Sequence, residues 1–143
     1  MSKNPRKRTI IVGLSRLGSA IAAKLSEQGE DVVVVDKDDD SFRKLANTYS
    51  GYQLIADAVD IDNLEKAGIK TAKTVIVTTD DDNINIMVAE ISAMIYNVPH
   101  IFVRLHDNDK SVLLDSTNIH AIYPFLLSLA EFENIMKKEE KNI

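Results

Sequence analysis

The chain has 143 residues, of which 45% are hydrophobic and 27% charged, and its formal net charge is −5. This composition is typical of a globular domain with one core, and it excludes the disordered and fibrous classes. The absence of cysteine excludes disulfides, cysteine–zinc sites and a thiol nucleophile. Because the cations are scattered through an acidic chain, the basic face that duplex nucleic acid requires is missing.

No segment is predicted to cross a membrane, and we expect a cytoplasmic protein. The basic start MSKNPRKR is followed by the five-residue run TIIVG. That run is shorter than the apolar part of a signal peptide and far shorter than the ~20 residues of a membrane span. The basic patch Arg6–Arg8 is interpreted as a solvated lead-in to the first strand.

Short β-branched runs alternate with amphipathic stretches along the chain. This alternation predicts strand–helix repeats on a doubly wound parallel sheet, an α/β fold. The spacing between the runs suits crossover helices. The predicted strands are Thr9–Val12, Asp31–Val35, Tyr52–Ala56, Thr74–Thr78, Ile101–Leu105 and a short sixth at Ala121–Tyr123.

The stretches between the strands predict four helices. The first ends at Gly29, in position for a left-handed cap. The others cover Ser41 to about Tyr49, the segment between Asp60 and Gly68, and Asn83–Tyr96. Asp60 or Asp62 is expected to cap the third helix. The residues expected to face the core are Leu17, Ala20, Ile21, the stem of Lys24 and Leu25 in the first helix, and Met87, Val88, Ile91 and Ile95 in the fourth.

A glycine-punctuated loop, VGLSRLGSA, joins the first strand to the first helix. Gly13 allows a tight turn, and Gly18 lets the helix pack close to the sheet, so that the helix amides face an anion. Ser15 stands at the middle glycine of the G-x-G-x-x-G pattern and allows less close approach. About 20 residues further along, the Asp36 carboxylate can accept hydrogen bonds from both ribose hydroxyls of an adenosine. It would repel a 2′-phosphate, which favours NAD or an adenine nucleotide over NADP. Lys37 either joins this site or is simply solvated.

Further polar residues follow the later strands, at the edge where parallel sheets bind ligands. They are Asp57 and Ala58 after the third strand, Thr78, Thr79 and Asp80 after the fourth, and Arg104 in the fifth. Arg16 and Arg104 are the two cations suited to phosphate oxygens. Alternatives remain open, since Asp57 and Asp80 also suit helix caps and Arg104 also suits an ion pair with either aspartate.

Five segments form a specific combination: VGLSRLGSAIAAKL, VVVVDKD, ADAVD, VIVTTDDDNINIMVAEIS and IFVRLHDND. Together they resemble the N-terminal nucleotide-binding domain of RCK proteins, the regulators of potassium conductance, as in the cytoplasmic TrkA/KtrA-type subunits of bacterial potassium uptake systems. The resemblance implies one Rossmann-like domain over residues 1–143, with residues 124–143 as a C-terminal crossover helix and tail. It also implies a membrane-embedded potassium transporter or channel subunit as partner, at the inner face of the membrane.

The same resemblance implies a role for each site residue, with NAD(H) or ATP/ADP as the nucleotide. The glycine loop would hold the phosphates, Arg16 would reach the second or terminal phosphate, and Asp36 would bind the ribose. Asp57 and Ala58 would face the adenine, and the later residues the far part of the ligand. The implied set is Gly13, Leu14, Ser15, Arg16, Leu17, Gly18, Ser19, Asp36, Lys37, Asp57, Ala58, Thr78, Thr79, Asp80 and Arg104.

Two departures from the family pattern bear on these expectations. Ser15 replaces the commoner glycine. The chain also stops near residue 143 without the second, C-terminal ligand-binding lobe of many such regulators, so it is either a one-lobe member or an excised domain.

No catalytic or metal-ligating constellation is predicted, and we expect a binding protein rather than an enzyme. A dehydrogenase needs a substrate pocket and a proton-transfer residue facing the nicotinamide. His106, just past the fifth strand, is the only tempting acid–base group. A small NAD-dependent oxidoreductase remains the alternative.

The segment YPFLLSLAEFENIM predicts a last helix that begins at Pro124. Its apolar residues cover more than the single stripe that one small domain can bury. We therefore expect a homodimer through this helix, with higher homo-oligomers as an extension, against the alternative that the helix folds back onto its own sheet.

Overall fold

A computed structural model of the chain describes residues 5–116 and 118–142. Within these residues, six strands form one parallel sheet in the order β3-β2-β1-β4-β5-β6. The strands are β1 Arg8–Val12, β2 Val32–Asp36, β3 Tyr52–Ile55, β4 Ala72–Val77, β5 His100–Arg104 and β6 Ile119–Ile122. Each predicted strand is present, with small shifts at its ends, so the predicted doubly wound α/β sheet is confirmed.

The apolar runs occupy the centre of the sheet because helices cover both of its faces. Ile10 and Val33 face one core cluster, and Ile11 and Val34 face the other. The helices are α1 Arg16–Glu27, α2 Ile61–Lys66, α3 Asp82–Met94 and α4 Pro124–Lys141. Short 3-10 helices at Asp39–Lys44, Ile69–Thr71 and Asn108–Leu113 complete the connections.

The helix predicted at residues 41–49 is wrong. A 3-10 helix over Asp39–Lys44 takes its place and begins where the Asp38 side chain accepts from the Asp40 amide. The chain then turns to α1, where the Ser50 amide donates to Ser26 Oγ and the Thr48 hydroxyl to Glu27. These tertiary hydrogen bonds replace the local ones that a longer helix would use.

The buried face of α1 differs from the prediction. Ala20 and Lys24 are exposed, whereas Leu17, Ile21 and Leu25 are only half-buried. The buried residues are Gly18, Ser19, Ala22 and Ser26. Small side chains face the sheet because the helix lies close to it, and the larger ones flank the contact. Gly29 has a φ of +81°, as predicted for a left-handed cap.

The predicted ends of α2 and α3 are largely confirmed. Asp60, rather than Asp62, caps α2 by accepting from the Asp62 amide. In α3, Val88 is buried as expected, but Ile95 lies just beyond the helix and is 56% exposed, so its predicted place in the core is wrong.

Helix α4 begins at Pro124 as predicted, and none of its residues is buried. Large apolar side chains along it are open to solvent, among them Phe125 at 63% and Phe132 at 60% exposure. The helix therefore does not fold back onto its own sheet. In the part of the chain that the structure describes, no helix is long and apolar enough to span a bilayer.

Candidate functional site

A cleft of about 410 Å³ opens at the carboxyl ends of β1 to β4. Because β1 lies between β2 and β4 in the sheet, the chain order reverses here, and ligands of doubly wound sheets bind at such a switch point. The lining residues are Val12, Gly13, Leu14, Ser15, Val35, Asp36, Lys37, Asp38, Ser41, Lys44, Ala56, Asp57, Ala58, Thr78, Thr79, Asp80, Asp81 and Ile84.

The glycine loop is fixed against the end of β4. Gly13 has a φ of +91°, and a Cβ there would lie 2.7 Å from the Thr79 nitrogen, so only glycine fits. The Thr78 hydroxyl donates to the Gly13 carbonyl oxygen at 2.8 Å. A Cβ on Gly18 would lie 2.5 Å from that hydroxyl, so both glycines have the packing roles that the sequence predicted.

Ser15 caps α1 at the loop. Its Oγ accepts from the Gly18 amide at 3.1 Å, and its carbonyl oxygen accepts from the Ser19 amide. The bond from the Gly18 amide explains how a serine is accommodated at the middle glycine position, because the Ser15 side chain points to the N-terminus of α1. The amides of Arg16 and Leu17 complete the first turn of α1.

The Asp36 carboxylate connects β2 to the glycine loop. One oxygen accepts from the Leu14 amide and the other from the Asp38 amide, both at 2.8 Å. These bonds fix the carboxylate at the cleft, and its remaining lone pairs are suited to ribose hydroxyls.

A buried polar network supports the β4 end of the cleft. The Asn85 amide group donates to the carbonyl oxygens of Thr79 and Arg104, and its oxygen accepts from the Thr79 amide. The Arg104 guanidinium donates to the carbonyl oxygens of Thr78 and Thr79 and pairs with Asp80 at 3.3 Å. The structure thus contains the Arg104–Asp80 pair that the sequence left as an alternative.

The structure brings ten of the fifteen predicted site residues into the cleft lining: Gly13, Leu14, Ser15, Asp36, Lys37, Asp57, Ala58, Thr78, Thr79 and Asp80. Leu17, Gly18 and Ser19 belong to α1 behind the loop. Arg16 is exposed, Arg104 is 8% exposed behind the β4 turn, and neither guanidinium is part of the lining. The Asp57 side chain accepts from the Val59 amide, so it closes a turn rather than capping α2.

Sequence reasoning missed Asp38, Ser41 and Lys44, which line the cleft beside Asp36. The Lys44 ammonium donates to the Leu14 carbonyl oxygen at 3.0 Å, which joins the 3-10 helix to the glycine loop. Side chains three apart share one face of a 3-10 helix, so 38, 41 and 44 all point to the cleft. The sequence analysis predicted an α-helix here, and its period of about 3.6 residues does not place these three side chains in one line.

His106, the tempting acid–base group, is not part of the cleft. Its amide donates to buried Asp82, as does the amide of Asp107. Burial raises the pKa of Asp82, but these amide bonds and the charges of His106 and Lys110 outweigh it and lower the pKa. Across residues 5–116 and 118–142, no group of three His, Asp or Glu side chains is arranged to hold a metal.

The TrkA-N domain model matches residues 9–124, and the chain belongs to this family. A Trk system potassium uptake protein TrkA from Streptomyces coelicolor is 35% identical over 113 residues, covering 79% of this chain and 51% of the relative. The chain thus spans about half the length of this relative. The resemblance to RCK nucleotide-binding domains is confirmed.

Solved structures share the fold. The TrkA-N domain of inner membrane protein ybaL from Escherichia coli has a TM-score of 0.79 at 16% identity, covering 90% of this chain and 96% of that one. The GsuK channel bound to NAD has a TM-score of 0.69 at 17% identity, covering 87% of this chain and 22% of that one.

Proposed function

We propose that this chain is the nucleotide-binding regulatory domain of a potassium transport system, and that NAD(H) or ATP/ADP binds in the cleft without turnover. The observation that carries the proposal is the convergence of the glycine loop, the α1 N-terminus and Asp36 at the switch point of the sheet. Membership of the TrkA-N family supports it. The proposal is also supported by a relative that is a potassium uptake protein and by a structural neighbour that is bound to NAD.

The cleft residues fit the parts of an adenosine nucleotide. The positive end of α1 and its first amides suit phosphate oxygens. Asp36 suits the ribose hydroxyls, and Asp57 and Ala58, which also line the cleft, would face the adenine. Thr78 and Thr79, at the end of β4, would face the far part of the ligand, with Arg104 supporting them from behind.

In this proposal the nucleotide is a signal. A ligand that binds one of two conformations more tightly shifts their balance by its difference in affinity, and this shift would be passed to the transport subunit. Helix α4, with its exposed apolar side chains, would join two copies of the chain, and the assembly would lie at the cytoplasmic face of the membrane.

Incubation of the protein with NADH separates this proposal from a small oxidoreductase. We expect NADH to bind, seen as a change in its fluorescence, and to be recovered unchanged when small aldehydes and ketones are added. Sustained oxidation of NADH that scales with protein concentration would favour the enzyme instead. Absence of binding by NADH, NAD, ADP and ATP alike would refute the nucleotide-sensing function.

A further inference from the structure

The charges that line the cleft are mainly negative. The lining includes five aspartates but only two lysines, Lys37 and Lys44, and no arginine among the described residues. Asp80 is paired with Arg104 from behind, although its own side chain is 98% exposed. The other aspartates are Asp36, Asp38, Asp57 and Asp81, and the described contacts pair none of them with a cation.

The positive groups near the cleft have limited capacity for phosphate. Arg104 Nη2 donates to the carbonyl oxygens of Thr78 and Thr79 and to Asp80, and the side chain is buried outside the cleft lining. One proton of the Lys44 ammonium is used by the Leu14 carbonyl oxygen. Lys37 is exposed, and so is Arg16 at the start of α1, whose side chain is not part of the cleft lining.

The α1 N-terminus is also partly occupied. Ser15 accepts from the amides of Gly18 and Ser19, so in the described structure the amides of Ser15, Arg16 and Leu17 are the ones at this helix end without an acceptor. Three amides and a helix dipole suit one phosphate group or one pyrophosphate diester. They provide little for a chain of three phosphates.

We infer that the cleft selects adenosine nucleotides by low phosphate charge, so that AMP and NAD bind in preference to ATP. The inference rests on the proposed function, because it concerns the ligand of the same site. ATP carries about two more negative charges than AMP. Each of these additional charges would lie near lining carboxylates that are not paired with a cation. At separations on the order of 10 Å in a solvated cleft, this repulsion corresponds to roughly tenfold weaker binding at low salt.

Calorimetric titration of the full chain with AMP, NAD, ADP and ATP tests this selection. The titrations are run in metal-free buffer, since a divalent cation would neutralise ATP. We expect affinity to decrease from AMP to ADP to ATP, with NAD tighter than ATP. The ratio of AMP to ATP affinity should be about tenfold near 0.02 M salt and should shrink near 0.3 M salt.

The outcomes distinguish this inference from the function on which it rests. ATP binding as tightly as AMP at low salt, or an AMP-to-ATP ratio that does not change with salt, would overturn the charge selection and leave nucleotide binding intact. Failure of all four nucleotides to bind would overturn the proposed function together with the inference.

Two variants test whether the lining carboxylates cause the preference for AMP over ATP. Asp81→Asn removes one lining carboxylate but keeps an oxygen to cap α3, where Asp81 accepts from the amides of Asn83 and Ile84. Asp115→Asn removes an exposed carboxylate outside the cleft lining. We expect Asp81→Asn to reduce the AMP-to-ATP ratio by about twofold to threefold and Asp115→Asn to leave it unchanged. Equal ratios in the two variants would contradict the inference.

Discussion

Asp36 has both a structural and a proposed binding role. Its two carboxylate oxygens accept hydrogen bonds from the amides of Leu14 and Asp38, so Asp36 holds the glycine loop against the end of β2. The same carboxylate is the group suited to a ribose. Replacement by alanine would disturb both roles at once, whereas asparagine keeps one acceptor oxygen and removes the charge.

We predict that native protein binds NAD much more tightly than NADP, because the Asp36 carboxylate repels a 2′-phosphate. Asp36→Asn should weaken NAD binding by about 1–3 kcal/mol, the range of a hydrogen bond to a charged group. The difference between NAD and NADP should also narrow. Calorimetry with both nucleotides measures this, with Asp115→Asn as the matched control. Equal affinity of the native protein for NAD and NADP would rule out this role for Asp36.

Gly18 gives a second prediction at the scale of one residue. A methyl group there would meet the Gly13 carbonyl oxygen in the loop and the Thr78 hydroxyl at the end of β4, which are hydrogen-bonded to each other. Gly18→Ala should therefore lower the free energy of unfolding by about 1–3 kcal/mol, the usual cost of overpacking, despite the better helix propensity of alanine. Denaturant unfolding tests this prediction. An unchanged or higher stability would show that the helix can move away from the sheet at little cost.

Gly29 provides the control for that substitution. It follows α1 at a φ of +81° with open space around its Cβ position. Gly29→Asn should cost less than Gly18→Ala, because asparagine tolerates the left-handed conformation and meets no neighbour.

At the scale of elements, Asp82 fixes the connection after β5 to the start of α3. Its carboxylate accepts the amides of His106 and Asp107 and is buried. Because the pKa of Asp82 is lowered in the folded protein, its contribution to stability is present above the ordinary value of 3.8 and is lost as the pH falls through the lower folded value.

We therefore predict that Asp82→Asn is less stable than the native protein at neutral pH, and that the two stabilities converge as the pH falls below about 4. Denaturant unfolding at a series of pH values provides the comparison. Asp115→Asn should instead follow the native curve. Parallel curves for the native protein and Asp82→Asn would mean that this carboxylate does not contribute through its charge.

The strands and most of the residues that line the cleft could be predicted because their signals are local. β-branched runs mark the buried strands, and the glycine loop and Asp36 follow directly from strand ends. The places of Ser41 and Lys44 in the cleft could not be predicted, because the sequence of their segment has the periodicity of an α-helix. The segment forms a 3-10 helix instead, and the residues after it bond to α1 through Thr48 and Ser50. The sequence offers Asp80 as a partner of Arg104, but the bonds of Arg104 to the carbonyl oxygens of Thr78 and Thr79 depend on packing that sequence spacing does not specify.

At the scale of the whole molecule, α4 is the long helix that buries none of its side chains among the described residues. Its apolar side chains are exposed along the length of the helix, so covering them would remove a large apolar area from water. We predict that the chain is a dimer at about 50 µM, well above a micromolar Kd. Phe125→Glu with Phe132→Glu should give a monomer whose fold is intact, because neither residue is buried.

Analytical ultracentrifugation of the two proteins tests this assembly, with Glu139→Gln as a control on the same helix. A native chain that sediments as a monomer at this concentration would contradict the proposed interface. Loss of the fold in the double variant, seen by circular dichroism, would contradict the view that α4 makes no contribution to its own domain's core.

The most direct test of the nucleotide cleft is amide chemical-shift mapping of ¹⁵N-labelled protein during titration with NAD. If the ligand binds at the switch point, the largest shifts should be those of the glycine loop, Asp36 to Asp38 and the Thr78–Asp80 turn. The amides of α4 should change little at constant oligomeric state. Shifts that cluster away from the cleft, or none at saturating NAD and AMP, would contradict the account.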